Sequence, residues 1–189
     1  MDYSSNEEKV QIEKALKDLD DFIPLYKHYQ RKIYNYCLYR LPTVEDAQDT
    51  TSQVFVNALN AFANKKFQLD SEFSFRTWLF RIAHNLVVDY YREKSRPEVI
   101  EIDDSIADDE QVYAEIEKKL DVERSMDKVE IILKRFDDYT QSIFVLKFRE
   151  DMTFEEISWT LDLDQSTVKM KYYRALQLIK RIFNSEGNY

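Results

Sequence analysis

The chain contains a single glycine, Gly187, among 189 residues, and three prolines, Pro24, Pro42 and Pro97. Glycine supplies the positive φ angles of tight hairpin turns and lets a backbone approach a phosphate closely. A chain this poor in glycine cannot build hairpins or phosphate-cradling loops of the usual kinds, so Rossmann and P-loop nucleotide sites are excluded. Long helices are what remain. Hydrophobic residues make up 44 % of the sequence, enough for ordinary cores, and the length suits one medium domain or two small ones.

The reactive residues are equally sparse. Cys37 is the one cysteine, and His28 and His84 are the only histidines. An internal disulfide and a cysteine-rich zinc site are therefore excluded, and neither a metal nor a cofactor is expected. The opening MDYSSNEEKVQIEK lacks the basic and apolar regions of a signal peptide. No run reaches the roughly 18 apolar residues of a membrane span. A cytoplasmic protein is expected.

Charge is distributed unevenly. The net charge is −9, and residues 97–127 alone carry 12 acidic against 3 basic groups. That stretch opens with PEVIEIDDSIADDEQ and has weak apolar periodicity. It reads as a linker, at least over 95–109, between two helical domains. The linker is either a solvated spacer or an acidic strand that lies in a basic channel of a partner.

Helical spacing appears on both sides of the linker. Asp21-Phe-Ile-Pro24 opens a helix, with proline in the first turn where its missing N–H does no harm. Leu25, Tyr29, Ile33, Tyr36 and Arg40 step along it until Pro42. Thr43-Val-Glu-Asp46 reads as a variant capping box, ahead of Ala47, Val54, Phe55, Ala58, Leu59 and Phe62 at helical spacing. A helix is expected next over 75–96, with Trp78, Ile82, Leu86 and Tyr90 as its apolar face. After the linker a helix is expected around 111–135. Asp138-x-x-Gln141 is expected to cap the next, and Thr153-x-x-Glu156 is a full capping box for a third. Asp164 can N-cap the last. The expected fold is all-α: two small helical domains joined by an acidic linker.

The last two helices form a helix-turn-helix pattern, a short helix, a three-residue turn and a longer basic helix. From Gln165 to Phe183 there is no acidic residue, but there are five basic ones: Lys169, Lys171, Arg174, Lys180 and Arg181. Val168, Tyr172, Ala175 and Ile179 share the side that would pack on Ile157 and Leu161. Ser166, Lys169, Met170, Tyr173 and Gln177 lie on the other, where polar and basic side chains can reach base edges and phosphates. Asp162 stands near the usual turn glycine and tolerates left-handed geometry. Five cations neutralise about three phosphates, and binding of this kind is weak, with Kd on the order of 10⁻⁴–10⁻⁶ M. So acidic a protein needs something else to deliver it to DNA.

The helix over 75–96 carries a second signal. Phe73, Phe75, Trp78, Phe80, Tyr90 and Tyr91 mingle with Arg76, Arg81, Arg92, Lys94 and Arg96. Rings beside cations suit single-stranded nucleic acid, although several of these rings can equally be core. Here the residues resemble a family. FSFRTWLFRIAHNLVVDYYREKSR is similar to the promoter-melting segment of extracytoplasmic-function (ECF) sigma factors of the sigma-70 family. The resemblance rests on Phe75-Arg76, Trp78-Leu79, Arg81-Ile82-Ala83, Asn85 and Asp89. Upstream, DAQDTTSQVFVNAL resembles the family's polymerase-binding helix through Asp46, Ala47, Asp49, Val54 and Phe55, whereas Ser52-Gln53 replaces the usual glutamine-glutamate pair. Phe154-Glu155-Glu156-Ile157, Thr167-Val168-Lys169 and Arg174-Ala175 resemble the −35-binding domain.

The resemblance implies a division into an extension (1–20), sigma region 2 (21–96), the acidic linker (97–125), sigma region 4 (126–183) and a tail (184–189). It implies core RNA polymerase as partner, through the β′ clamp helices and the β flap, with Asp46, Asp49, Gln53 and Phe55 at the former. Promoter DNA is the second partner. Arg76, Trp78, Arg81, Asn85, Asp89 and Arg92 would act at the −10 element, with a loop over 65–74 holding an extruded base. Ser166, Thr167, Lys169, Met170, Lys171, Tyr173 and Arg174 would act at the −35 element. An anti-sigma factor is a further partner of many relatives. Core polymerase would join two weak DNA modules and raise their effective concentration. Three other readings are weaker, one of them a sigma-like protein that has lost activity, which the Ser52-Gln53 departure leaves open. A regulator that ignores polymerase does not explain the melting-type segment. An enzyme using Asp103, Asp104, Asp108 and Asp109 as magnesium ligands would place them in a linker with no organised partner.

Overall fold

The computed structural model describes residues 5–67, 74–94 and 131–186, and every element among them is helical. The chain divides into two compact units, the first reaching Lys94 and the second formed by most of the remaining residues.

The first unit opens with α1, Ser5–Ala15, and a short 3-10 turn, Leu19–Phe22. Within residues 1–20, α1 packs on the next helix, with Ile12 and Ala15 almost fully buried. The Gln11 amide donates to the Asp21 carbonyl at 2.7 Å, and the Tyr29 hydroxyl donates to Glu8. Helix α2, Ile23–Arg40, has Pro24 in its first turn and ends before Pro42, where proline cannot continue it. Helix α3, Val44–Ala63, is N-capped by Thr43, whose hydroxyl accepts from the Asp46 N–H at 3.0 Å. Aspartate is one methylene shorter than the usual glutamate, and its carboxylate turns to side chains instead of closing the capping box. Helix α4, Phe75–Glu93, is capped by Ser74.

These helices meet in an aromatic core. Phe62 lies 5.1 Å from Phe22 and 5.9 Å from Phe75, and it stacks on Phe67 at 4.8 Å between ring centroids. Tyr29 meets Phe75 edge-on at 5.4 Å. Each such pair contributes about 0.5–1.5 kcal/mol beyond the area it buries. The buried face of α4 is Phe75, Leu79, Phe80, Ala83, His84 and Val87. This corrects the expected apolar face: Trp78, Ile82, Leu86 and Tyr90 are all only half-buried. Aromatic residues surround the whole of this helix, so composition alone does not choose the side that packs.

Later in the chain, α5 spans Asp138–Phe148, α6 Phe154–Leu161 and α7 Gln165–Glu186. The N-cap of α5 is Asp137, not Asp138: its carboxylate accepts from the Thr140 N–H at 3.0 Å and the Thr140 hydroxyl at 2.6 Å. Asp138 already has helical geometry as the first residue, so its neighbour is left at the cap. Gln141 instead closes the preceding turn by donating to the Phe136 carbonyl at 2.7 Å. Thr153 and Glu156 form the full capping box of α6. Of the helix expected around 111–135, only residues 131–133 are described as helix. The linker over 97–125 lies outside the described residues.

The turn between α6 and α7 is held by backbone geometry. Asp162 adopts φ 56 and ψ 47, the left-handed conformation expected for it, and the Leu163 N–H donates to the Ser158 carbonyl at 3.1 Å. The Val168 N–H donates to the Asp164 carbonyl at 3.0 Å, which puts Asp164 in the N-cap position. Val168, Tyr172, Ala175 and Ile179 are buried as expected, together with Leu176, Ile157 and Phe144.

Candidate nucleic-acid interface

Three helices carry the side chains marked out by the sequence. On α4, Trp78, Arg81, Asn85, Asp89 and Arg92 succeed one another at spacings of three, four, four and three residues. At 3.6 residues per turn they form one stripe over four turns. Asn85 and Arg92 are exposed, and Trp78, Arg81 and Asp89 half-buried. The stripe lies opposite the buried face, so packing of the first unit fixes its direction. Asp89 and Arg92 form an ion pair at 2.9 Å. Trp78 rests on Phe67 at 4.6 Å, which holds one edge of its indole against the core. Arg76 is not on this stripe. It sits half-buried on the side that faces the bundle.

On α3, Asp46, Asp49 and Gln53 share a face, again at spacings of three and four. Asp49 and Gln53 are exposed, and Gln53 donates to Asn57 Oδ1 at 2.8 Å. The structure does not bring Phe55 to them: it points to the opposite side, 4 % exposed, with its ring 4.8 Å from Tyr26. Asp46 is turned toward α4. Its Oδ2 accepts from the Thr43 hydroxyl at 2.5 Å and the Tyr90 hydroxyl at 2.9 Å, and Oδ1 accepts from Lys94 at 3.3 Å. These donors hold its carboxyl below the ordinary carboxylate range, Thr43 foremost, then Tyr90, with burial opposing them and Lys94 adding to them.

Beneath α4 lies a buried polar cluster. Arg40 is 2 % exposed at the end of α2, and the Tyr91 hydroxyl donates to its carbonyl at 2.6 Å. Tyr36 Oη lies 3.5 Å from His84 Nδ1. Burial, with the Arg40 charge second, lowers the His84 pKa to about 3, so the imidazole is neutral. Burial likewise pushes the Cys37 thiol up to about 11, leaving it protonated and unreactive. No helix among the described residues is long and apolar enough to cross a membrane.

On α7, Ser166 is exposed, and Thr167, Lys169, Met170, Tyr173 and Arg174 are half-exposed. Ser166, Lys169, Met170 and Tyr173 form the outer face, with Thr167 and Arg174 at its edge. Tyr173 is braced by Phe154 at 5.6 Å. Lys171 lies nearer the core side, where its ammonium donates to Asp137 Oδ2 at 3.2 Å. Sequence reasoning missed this partner and also the Tyr90 and Lys94 ties to Asp46. Asp137 had a local signal, a Thr three residues on, as in a side-chain N-cap. Asp46 and Tyr90 are 44 residues apart, and nothing local links them.

Residues 25–97 match the sigma-70 region 2 family. The chain is 29 % identical over 171 residues to the RNA polymerase sigma factor YlaC of Bacillus subtilis (strain 168), covering 90 % of this chain and 96 % of the relative. It is 27 % identical over 187 residues to the ECF RNA polymerase sigma factor SigW of the same organism, covering 92 % and 97 %. Residues 25–97 thus carry the sigma-70 region 2 pattern, and over about nine-tenths of its length the chain is similar to ECF sigma factors. Its function is that of a sigma factor in transcription initiation, and the family consists of initiation factors rather than enzymes. Among solved structures, CnrH in complex with the cytosolic domain of CnrY shares the fold, with a TM-score of 0.68 at 20 % identity over 94 % of this chain and 97 % of that one. The region 2 match covers α2, α3 and α4.

Proposed function

We propose that this sigma factor docks on core RNA polymerase through α3, opens the −10 element with α4, and reads the −35 element with α7. The polymerase contact on α3 is the exposed pair Asp49 and Gln53, facing the β′ clamp helices, with Phe55 supporting the helix from the core. The observation that carries the reading is the α4 stripe of Trp78, Arg81, Asn85, Asp89 and Arg92 opposite the buried face. A non-template strand lying along it would meet an aromatic ring, cations for its phosphates, and an amide and a carboxylate for base edges. Arg76 would act from beneath, as support for the helix.

On α7, Ser166, Lys169, Met170 and Tyr173 enter the major groove, with Thr167 and Arg174 at the phosphates. The five cations of α7 are too few for tight binding alone, so polymerase supplies the affinity and couples the two DNA modules. The acidic linker over 97–125 separates region 2 (21–96) from region 4 (126–183) and threads a basic channel, while the β flap receives region 4. Residues 1–20 and 184–189 flank these regions. The site of action is the cytoplasm, with the polymerase. A regulatory protein of the anti-sigma kind would act by covering these faces, a reading supported by the capture of CnrH with a cytosolic partner domain.

The test is a gel shift on host DNA fragments at physiological salt, with and without core polymerase, then permanganate footprinting. Specific complexes only with core enzyme, with reactive thymines near a start site, are expected. Selection of duplex DNA by the protein alone would overturn the reading.

A further inference from the structure

We infer that Asp46 and Tyr90 form a latch that sets the azimuth of α4, making Asp46 a positioning residue for promoter opening rather than a polymerase contact. The inference rests on the reading that α3 meets polymerase and α4 acts on the promoter.

The Asp46 carboxylate is largely used within the chain. It accepts three side-chain hydrogen bonds, from Thr43, Tyr90 and Lys94. An ionised carboxylate offers about four lone-pair sites, so little acceptor capacity is left for an incoming cation. Its side chain is 21 % exposed, against 60 % for Lys94, so the lysine covers it from the solvent side. Lys94 Nζ also lies 3.1 Å from the Tyr90 hydroxyl and 4.3 Å from the centroid of its ring. Lysine, phenol and carboxylate thus form a closed triangle between the start of α3 and the end of α4.

The neighbouring Tyr91 makes a parallel tie, from its hydroxyl to the carbonyl of Arg40 at the end of α2. Consecutive residues on a helix point about 100° apart, so two adjacent phenols anchored on the α2–α3 corner fix rotation about the α4 axis. Packing of Ala83 and Val87 into the core gives α4 its inner side, and the two directional hydrogen bonds narrow the angle on that side. Asp89 and Arg92 sit within two residues of Tyr90, so any rotation at the latch carries the promoter-facing stripe with it. Among the site residues of α3, Asp49 and Gln53 remain on the exposed face and are available to the polymerase.

The test uses the full chain with core polymerase and a promoter fragment selected from host DNA by the two together. Tyr90→Phe removes only the hydroxyl. Asp46→Ala removes the acceptor, and the double variant removes both. Core affinity of Tyr90→Phe is expected to stay within about twofold of the parent. Open-complex formation on duplex should fall roughly three- to tenfold in each single variant, the span one hydrogen bond supports. The double variant should be no worse than Asp46→Ala alone, because that variant already removes the tie that Tyr90→Phe removes. A template with a pre-melted −10 region should restore activity in all three.

Four results would overturn the inference. Loss of core affinity in Asp46→Ala but not in Tyr90→Phe would make Asp46 a direct polymerase contact. Unchanged opening in Tyr90→Phe would leave the latch without a role. Equal loss on duplex and pre-melted templates, tracking a lower melting temperature, would reduce it to fold stabilisation. Failure of the unaltered protein to bind core polymerase would remove the functional reading itself, and the latch with it.

Discussion

Lys171 Nζ lies 3.2 Å from Asp137 Oδ2, so a cation of the acid-free stretch of α7 is held by the carboxylate that caps α5. The pair orients α7 on its own domain and removes Lys171 from the outer face. Arg174→Ala is therefore expected to weaken −35 binding at all sequences and to reduce the salt slope by about one, as loss of one phosphate contact does. Lys171→Ala should change that slope much less and lower the melting temperature instead. Salt titrations of holoenzyme on a −35 fragment, beside thermal melts, separate the two.

Asp137→Ala should destabilise the C-terminal unit by about 1 kcal/mol through loss of the cap. Partial burial works to raise the Asp137 pKa, but the Thr140 hydroxyl and N–H, with Lys171, outweigh it and lower it below its ordinary 3.8. A carboxylate with a depressed folded pKa stabilises the fold above the unfolded value, and that contribution is lost as pH falls through the folded one. Urea midpoints of Asp137→Asn and the parent should therefore differ at about pH 7 and converge in strong acid.

Asp162 holds a left-handed conformation at the helix-turn-helix corner. Glycine has no steric penalty there, whereas a β-branched residue does. Asp162→Gly should leave DNA binding intact, and Asp162→Val should cost about 1–2 kcal/mol of stability. Chemical denaturation of both variants checks the difference.

His84 is neutral when folded, with a pKa of about 3 against an ordinary 6.5. Between those values the unfolded chain binds the extra proton, so stability should fall as pH drops from about 6.5 toward about 3. His84→Gln, neutral throughout, should flatten that part of the profile. An imidazole NMR titration that showed His84 protonating near its ordinary value would contradict this.

The opening of promoter DNA should depend on Asn85 and Asp89. Their alanine variants are expected to bind core polymerase as the parent does, yet to lose roughly tenfold or more in permanganate reactivity on duplex, about the cost of one good base contact. Comparable loss of core affinity would place these residues in the polymerase interface.

Much of this molecule was legible in one dimension because its signals are local. Scarcity of glycine, helical spacing, the Thr153–Glu156 box and the acid-free run from Gln165 to Phe183 each involve residues within a few turns of one another. Local hydrogen bonds and the 3.6-residue repeat act without knowledge of the rest of the chain. The same locality let Asp162 be read as a left-handed turn residue in the absence of glycine.

Tertiary structure decided which side of each helix is the inside. Aromatic residues surround α4, so only packing against Phe22, Phe62 and Phe67 selects Phe75 and Leu79 for the core and turns Asn85 outward. Packing also buried Phe55, drew Lys171 to Asp137, and joined Asp46 to Tyr90 across 44 residues. Hydrophobicity has no direction of its own along a helix that is apolar on several sides. Direction came from the shape of the neighbouring helices, and with it the division of charged residues between those that face a partner and those that hold the fold.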